Sequence, residues 1–134
     1  MASPLYFTIE QRTNENFEVT FPFKWIASQW PLPEGSYFES HIRDYPQANS
    51  AVLTFNTNSN PANTAPVPLS YLYDANTTTL YLTFFAPVSN IEPLEKISSY
   101  SMDIKLVRTR VGLDNHIDIL ADGTVKIKEG ITRP

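Results

Sequence analysis

Along this chain apolar residues alternate with polar ones in short blocks, the period of two that arises when successive side chains of a strand point to opposite faces. In the first block Leu5, Phe7 and Ile9 share a face. In the second, Phe17, Val19, Phe21 and Phe23 point one way while Glu18, Thr20 and Lys24 point the other. The Arg12-Thr13-Asn14-Glu15 stretch between them has turn chemistry, so the two blocks are expected to form a hairpin. Further strands are expected over 37–43, 51–55, 69–73, 80–85, 100–107 and 116–128, the last with a break at Asp122-Gly123. Asp74-Ala75-Asn76 separates two aromatic-rich runs and predicts a second hairpin turn, because Asn and Asp tolerate left-handed backbone.

Only residues 90–97 have the makings of a helix, with Asn90 as N-cap and Pro93 in the first turn. The Asn-, Pro- and Thr-rich stretch 56–68 is the longest loop, and most of the eleven prolines fall between blocks, where they stop strands and blunt edges. No repeat at solenoid spacing interrupts the pattern. For 134 residues it predicts one domain, 1–134, folded as an all-β antiparallel sandwich of Greek-key type with about seven or eight strands.

Composition narrows the classes of function. A hydrophobic content of 42% against 18% charged residues belongs to an ordered globular chain. The net charge of -4 argues against a domain that binds nucleic acid by neutralising phosphates. The absence of cysteine excludes disulfides, thiolate metal sites and a cysteine nucleophile. The N-terminal MASPLYFTIEQR has no basic segment leading into an apolar stretch, and no run approaches a membrane span, so a soluble protein without an export signal is expected.

Candidate chemistry is sparse. Asp114, His116 and Asp118 alternate, which on a strand would present carboxylate and imidazole to a divalent cation, but a fourth ligand is missing and Asp114 is expected in a turn, so a solvated strand face is the favoured reading. His41 and His116 accompany no recognisable serine nucleophile, and Gly35, Gly112, Gly123 and Gly130 lie too far apart for a phosphate loop. Glu92 and Glu95 suit surface charges of a helical turn. Asn76-Thr77-Thr78 fits the N-glycosylation pattern, which matters only in a eukaryotic secretory setting. Tyr71, Tyr73, Tyr81 and Phe85 flank the Asp74 turn and form either a platform for sugar rings or, in the favoured reading, cross-strand aromatic pairs. Trp25 and Trp30 pose the same choice, and Pro31 and Pro33 stiffen their segment in favour of packing or an interface.

The run GSYFESHIR, residues 35–43, resembles a motif of small bacteriophage virion proteins of immunoglobulin-like β-sandwich type, found among tail, baseplate and fibre-attachment components. Gly35, Phe38, Ser40, Ile42 and Arg43 match that motif, while Ser36 stands for its usual aromatic residue and His41 for its usual Gln. Phe7-Thr8-Ile9-Glu10-Gln11 followed by Phe17 is similar to the group's opening hairpin, with Arg12-Thr13-Asn14 in place of a Gly-Asp turn. Tyr73-Asp74 with Leu80-Tyr81-Leu82 resembles its middle hairpin. Tyr100 to Ile104, then Ile119 to Ile127 with Gly123-Thr124-Val125, and finally Thr132-Arg133, resemble its closing strands.

The resemblance spans nearly the whole chain and implies an immunoglobulin-like fold and an adaptor role, with no catalytic residues or cofactor to carry over. The expectation is a non-enzymatic virion protein of the tail, baseplate or neck, made in the host cytoplasm. Its partners would be other virion proteins and copies of itself in a symmetric ring, with no nucleic acid and no membrane. Interface candidates are Trp25, Trp30, Lys126, Lys128 and Arg133, the basic residues being either contacts to an acidic neighbour or the polar face of the last strand opposite Val125 and Ile127. The alternatives are a carbohydrate- or receptor-binding module built on the tryptophans and tyrosines, and a capsid decoration protein.

Overall fold

The alternating blocks become strands whose apolar faces meet between two sheets. A computed structural model of the chain describes residues 5–25, 30–44, 51–57, 69–91, 93–94, 99–110, 112–114 and 116–128. Within these lie β1 (Leu5–Arg12), β2 (Phe17–Lys24), β3 (Tyr37–Arg43), β4 (Leu53–Asn56), β5 (Leu69–Asp74), β6 (Thr79–Ala86), β7 (Ser99–Arg108) and β8 (His116–Lys128), with one helical turn, α1 (Val88–Ile91), before β7. Five strands form a sheet in the order β1-β8-β7-β3-β4, and three form a second in the order β2-β6-β5. Neighbours are antiparallel apart from β1 and β8, which run parallel. The result is a two-layer all-β sandwich.

Its core follows from the alternation. Phe38, Ile42, Phe55, Met102, Ile104, Leu106 and Val125 from the larger sheet meet Phe17, Leu80, Leu82 and Phe84 from the smaller, all of them buried. At the centre the Phe84 ring is edge-on to Phe55, with centroids 5.1 Å apart, and to Phe21 at 5.7 Å. Aromatic quadrupoles favour these edge-to-face contacts.

The hairpin expected from β1 and β2 does not form. Residues 13–16 carry the chain from one sheet to the other, so β1 pairs with β8 and β2 with β6. The period of two is the same whether two strands lie side by side or face to face. Facing each other, they bury Phe7 against Phe21, centroids 4.9 Å apart. Gln11 secures the crossing: its amide nitrogen donates to the carbonyls of Arg12, Glu15 and Asn16. Thr13 N–H donates to Lys128 O at 3.0 Å, tying the crossing to the end of β8.

The second expected hairpin, β5 to β6 around Asp74, is present, and Asn76 N–H donates to Asp74 Oδ1 at 3.0 Å. No break occurs at Asp122-Gly123. β8 is continuous, and its irregularity falls at Leu120, skipped where the register changes from Ile104↔Ala121 to Lys105↔Ile119. Gly123 serves packing instead: a β-carbon there would run into the Phe7 carbonyl and within 2.7 Å of its ring. The helical turn begins at Val88, two residues before the expected cap, because Pro87 O accepts from Asn90 N–H at 2.9 Å and so starts the turn earlier. Glu92, residues 95–97 and residues 58–68 of the long loop lie outside the described residues.

Candidate functional site

Three surfaces collect the chemistry of this chain. The first is the sandwich end where β2 stops, β3 starts, the β5–β6 turn projects and β7 gives way to β8. Trp25 follows the last residue of β2 and is buried at 8% exposure. Its backbone N–H donates to Thr78 O at 2.9 Å, which ties it to a turn where Thr78 has a left-handed φ of 47°. The Arg108 guanidinium lies 5.8 Å from the Trp25 ring centroid. Asp118 sits 3.1 Å from Arg108 Nε and 3.0 Å from His116 Nε2, with its side chain almost wholly enclosed. The Arg108–Asp118 contact is an ion pair without hydrogen-bond alignment, and Trp25 Nε1 is buried without an acceptor among the described residues.

This cluster corrects the solvated-face reading of Asp114, His116 and Asp118 at Asp118, which is buried. Strict alternation puts Asp118 on the face of Asp122 and Lys126, toward solvent. The bulge at Leu120 rotates the strand so that Asp118, opposite Leu106, faces inward beside Arg108. A carboxylate held by an arginine and a histidine has its charge answered already. Asp114 belongs to the preceding turn, where its carbonyl accepts from Arg110 Nε at 2.7 Å. Among the described residues no group of three or more His, Asp or Glu is placed to hold a metal ion.

The second surface is the side of the sandwich beneath the β2–β3 connector. Trp30 stacks on Tyr73, centroids 4.8 Å apart at 24°, and meets Tyr71 edge-on at 5.9 Å. Its bond to Pro31 is cis. Tyr71 also touches Phe38 at 5.4 Å between centroids. The four aromatics flanking the Asp74 turn therefore make neither one platform nor a set of cross-strand pairs. Tyr71 and Tyr73 turn inward opposite Leu82 and Leu80, while Tyr81 and Phe85 lie on the outer face opposite Leu72 and Glu18. All four are at odd positions, but the register pairs odd residues of β5 with even residues of β6, so the odd positions of the two strands took different faces, which spacing along one strand did not reveal.

The third surface is the outer face of the five-stranded sheet. Lys126 and Lys128 are exposed on β8, opposite the buried Val125 and Ile127 faces, and Lys128 Nζ pairs with Glu10 Oε1 at 2.8 Å. That ammonium holds the Glu10 carboxyl below its ordinary value, first by its hydrogen bond and then by its charge. Arg133 lies outside the described residues.

Near the middle of the same face, His41 stands between Glu39 at 3.2 Å and Asp103 at 3.8 Å, and Lys105 lies 3.8 Å from Asp103. Sequence reading passed over this group because its members come from two strands, β3 and β7, and no local motif joins them. Burial raises the Asp103 carboxyl, but the His41 ring, the Lys105 charge and the His41 backbone N–H lower it by more, so it sits below its ordinary value. Folding therefore gains from Asp103 above its unfolded-state pKa of about 3.9, and that gain is lost as pH falls through the lower folded value. His41→Leu should move the acid-unfolding midpoint to higher pH in a circular-dichroism titration. An unmoved midpoint would show that Asp103 owes its depression to other groups.

No family model and no curated protein matches the chain.

Proposed function

We propose that this protein is a non-enzymatic structural component of a bacteriophage virion, an immunoglobulin-like sandwich that docks within a tail, baseplate or neck assembly in several copies. The observation that carries the reading is where the shared motifs fall. Phe7 to Gln11, residues 37–43, Tyr100 to Ile104 and Ile119 to Ile127 lie on β1, β3, β7 and β8, which are neighbours in the five-stranded sheet, while Tyr73-Asp74 and Leu80 to Leu82 lie on the paired β5 and β6 of the smaller sheet. Motif residues also have physical duties there. Gly35 has φ of +88°, which a side chain disfavours, and Ser40 Oγ donates to Asp103 O at 2.5 Å. Support for the immunoglobulin-like part of the reading comes from the order β2-β6-β5 against β8-β7-β3-β4, which can be read as B-E-D against G-F-C-C′, with β1 beside β8 instead of β2. Tyr100, buried at the start of β7 and two residues before Met102, stands where such folds carry their corner tyrosine.

A second reading, a carbohydrate- or receptor-binding module, draws on the half-buried Trp30 beside Tyr71, which is 50% exposed. One pair of measurements separates them. Mass spectrometry of virions purified from the phage that encodes the chain should find it in several copies per particle, and tryptophan fluorescence should stay flat on titration with host polysaccharide. Absence from the particle would sink the structural reading, and a saturable fluorescence shift would favour the binding module.

A further inference from the structure

A strand at the edge of a sheet offers unpaired N–H and C=O groups to any other strand, unless it is short, charged, bulged or interrupted by proline. Among the described strands the edges are β1, β4, β2 and β5. β1 carries Glu10 and Arg12, β2 has Pro22 near its centre with Glu18 and Lys24 to either side, and β4 is four residues long. β5, LSYLYD, has no such defence before its last residue: no charge, no proline and an unbroken register with β6. It is also apolar and exposed on both faces, with Leu72 66% exposed on the outer face and Tyr71 50% exposed on the inner.

We propose that β5 pairs antiparallel with β5 of a second copy of this chain, joining two three-stranded sheets into one six-stranded sheet across a twofold axis. The strand's own pattern identifies the occupant. A register that sets Leu72 against its copy puts Tyr71 opposite Tyr73 and Ser70 opposite Asp74, each pair on a common face. The one carboxylate of the strand then meets a hydroxyl donor, and the two Asp74 side chains stand at opposite ends of the ladder, so like charges do not meet. For a chain of net charge -4 this matters, since two copies must approach without opposing their carboxylates. Pairing also removes from water the exposed parts of Leu72 and Tyr71 on both copies, beside the Trp30–Tyr73 stack. The inference does not depend on the virion reading, because the contact forms in the purified protein whatever larger assembly it joins.

The chain has no cysteine, so Leu72→Cys introduces a single thiol at the twofold axis. Residues directly opposite in an antiparallel pair have Cα atoms roughly 4.5–5.5 Å apart, within the span of a disulfide. Mild oxidation should convert Leu72→Cys to a covalent dimer, while Tyr6→Cys, at a position 84% exposed on β1, should cross-link far more slowly. Sedimentation equilibrium of the unaltered full chain should show a monomer–dimer equilibrium. Leu72→Lys, which sets two ammonium groups against each other, should raise its dissociation constant at least about tenfold with the circular-dichroism spectrum unchanged. Equal cross-linking of the two cysteine variants would overturn the proposal. So would a chain monomeric up to about 1 mM, or a monomer whose β5 edge amides resist hydrogen exchange because its own chain covers them.

Discussion

Replacing Phe84 by alanine should destabilise the protein by about 3–5 kcal/mol, the usual cost of deleting a buried aromatic ring whose site cannot collapse around the space left behind. The ring is wholly buried and makes edge contacts with Phe21 of its own sheet and Phe55 of the opposite one, so its loss opens a void at the junction of the two layers. For a domain of this size the melting temperature should fall by at least about 10 °C. Phe85→Ala, one residue along and on the other face of β6, should cost much less, because that ring is only half-buried and packs across from Glu18. Equal losses in thermal melts would mean that the inner and outer faces of β6 have been assigned wrongly.

Arg108→Met is expected to have an effect of similar size for an electrostatic reason. Asp118 is 2% exposed, and Arg108 is its cationic partner within 3.1 Å. Taking away the guanidinium leaves a carboxylate out of water with, among the described residues, the half-exposed His116 ring beside it. Breaking a buried pair in this way typically costs about 3–5 kcal/mol, whereas replacing both partners by apolar side chains is often close to neutral. The double variant Arg108→Met, Asp118→Leu should therefore recover most of the loss in denaturant unfolding. Additive losses would indicate that the two residues do not stabilise the fold as a pair. The Trp25 contact makes part of the arginine's contribution apolar, so recovery should stop short of complete.

How far these features could be read from the chain depends on the range of the interaction involved. The span of β3 follows from alternation and turn residues alone, because a pleated backbone buried on one face requires that spacing. The Asp74 turn was equally legible, since its carboxylate closes the turn on a backbone N–H two residues away. The group around His41 was not, because its partners are brought together only by the pairing of β3 with β7. Trp25 and Trp30 were visible as the residues to explain, yet their different fates depend on distant partners: Arg108 for the first, Tyr71 and Tyr73 for the second.

By itself, then, the sequence determined that this protein would be built of strands, which residues of the first two strands would share a face and where most strands would begin and end. All of these are properties of a few consecutive residues and the period of the backbone. Only the tertiary structure decided that β1 and β2 would face each other across the core instead of pairing, and that the bulge at Leu120 would turn Asp118 from solvent to Arg108. It also left β5 as the unguarded edge. A strand's periodicity is blind to which neighbour it pairs with, and the choice is made by the combined burial and hydrogen bonding of segments far apart in the chain.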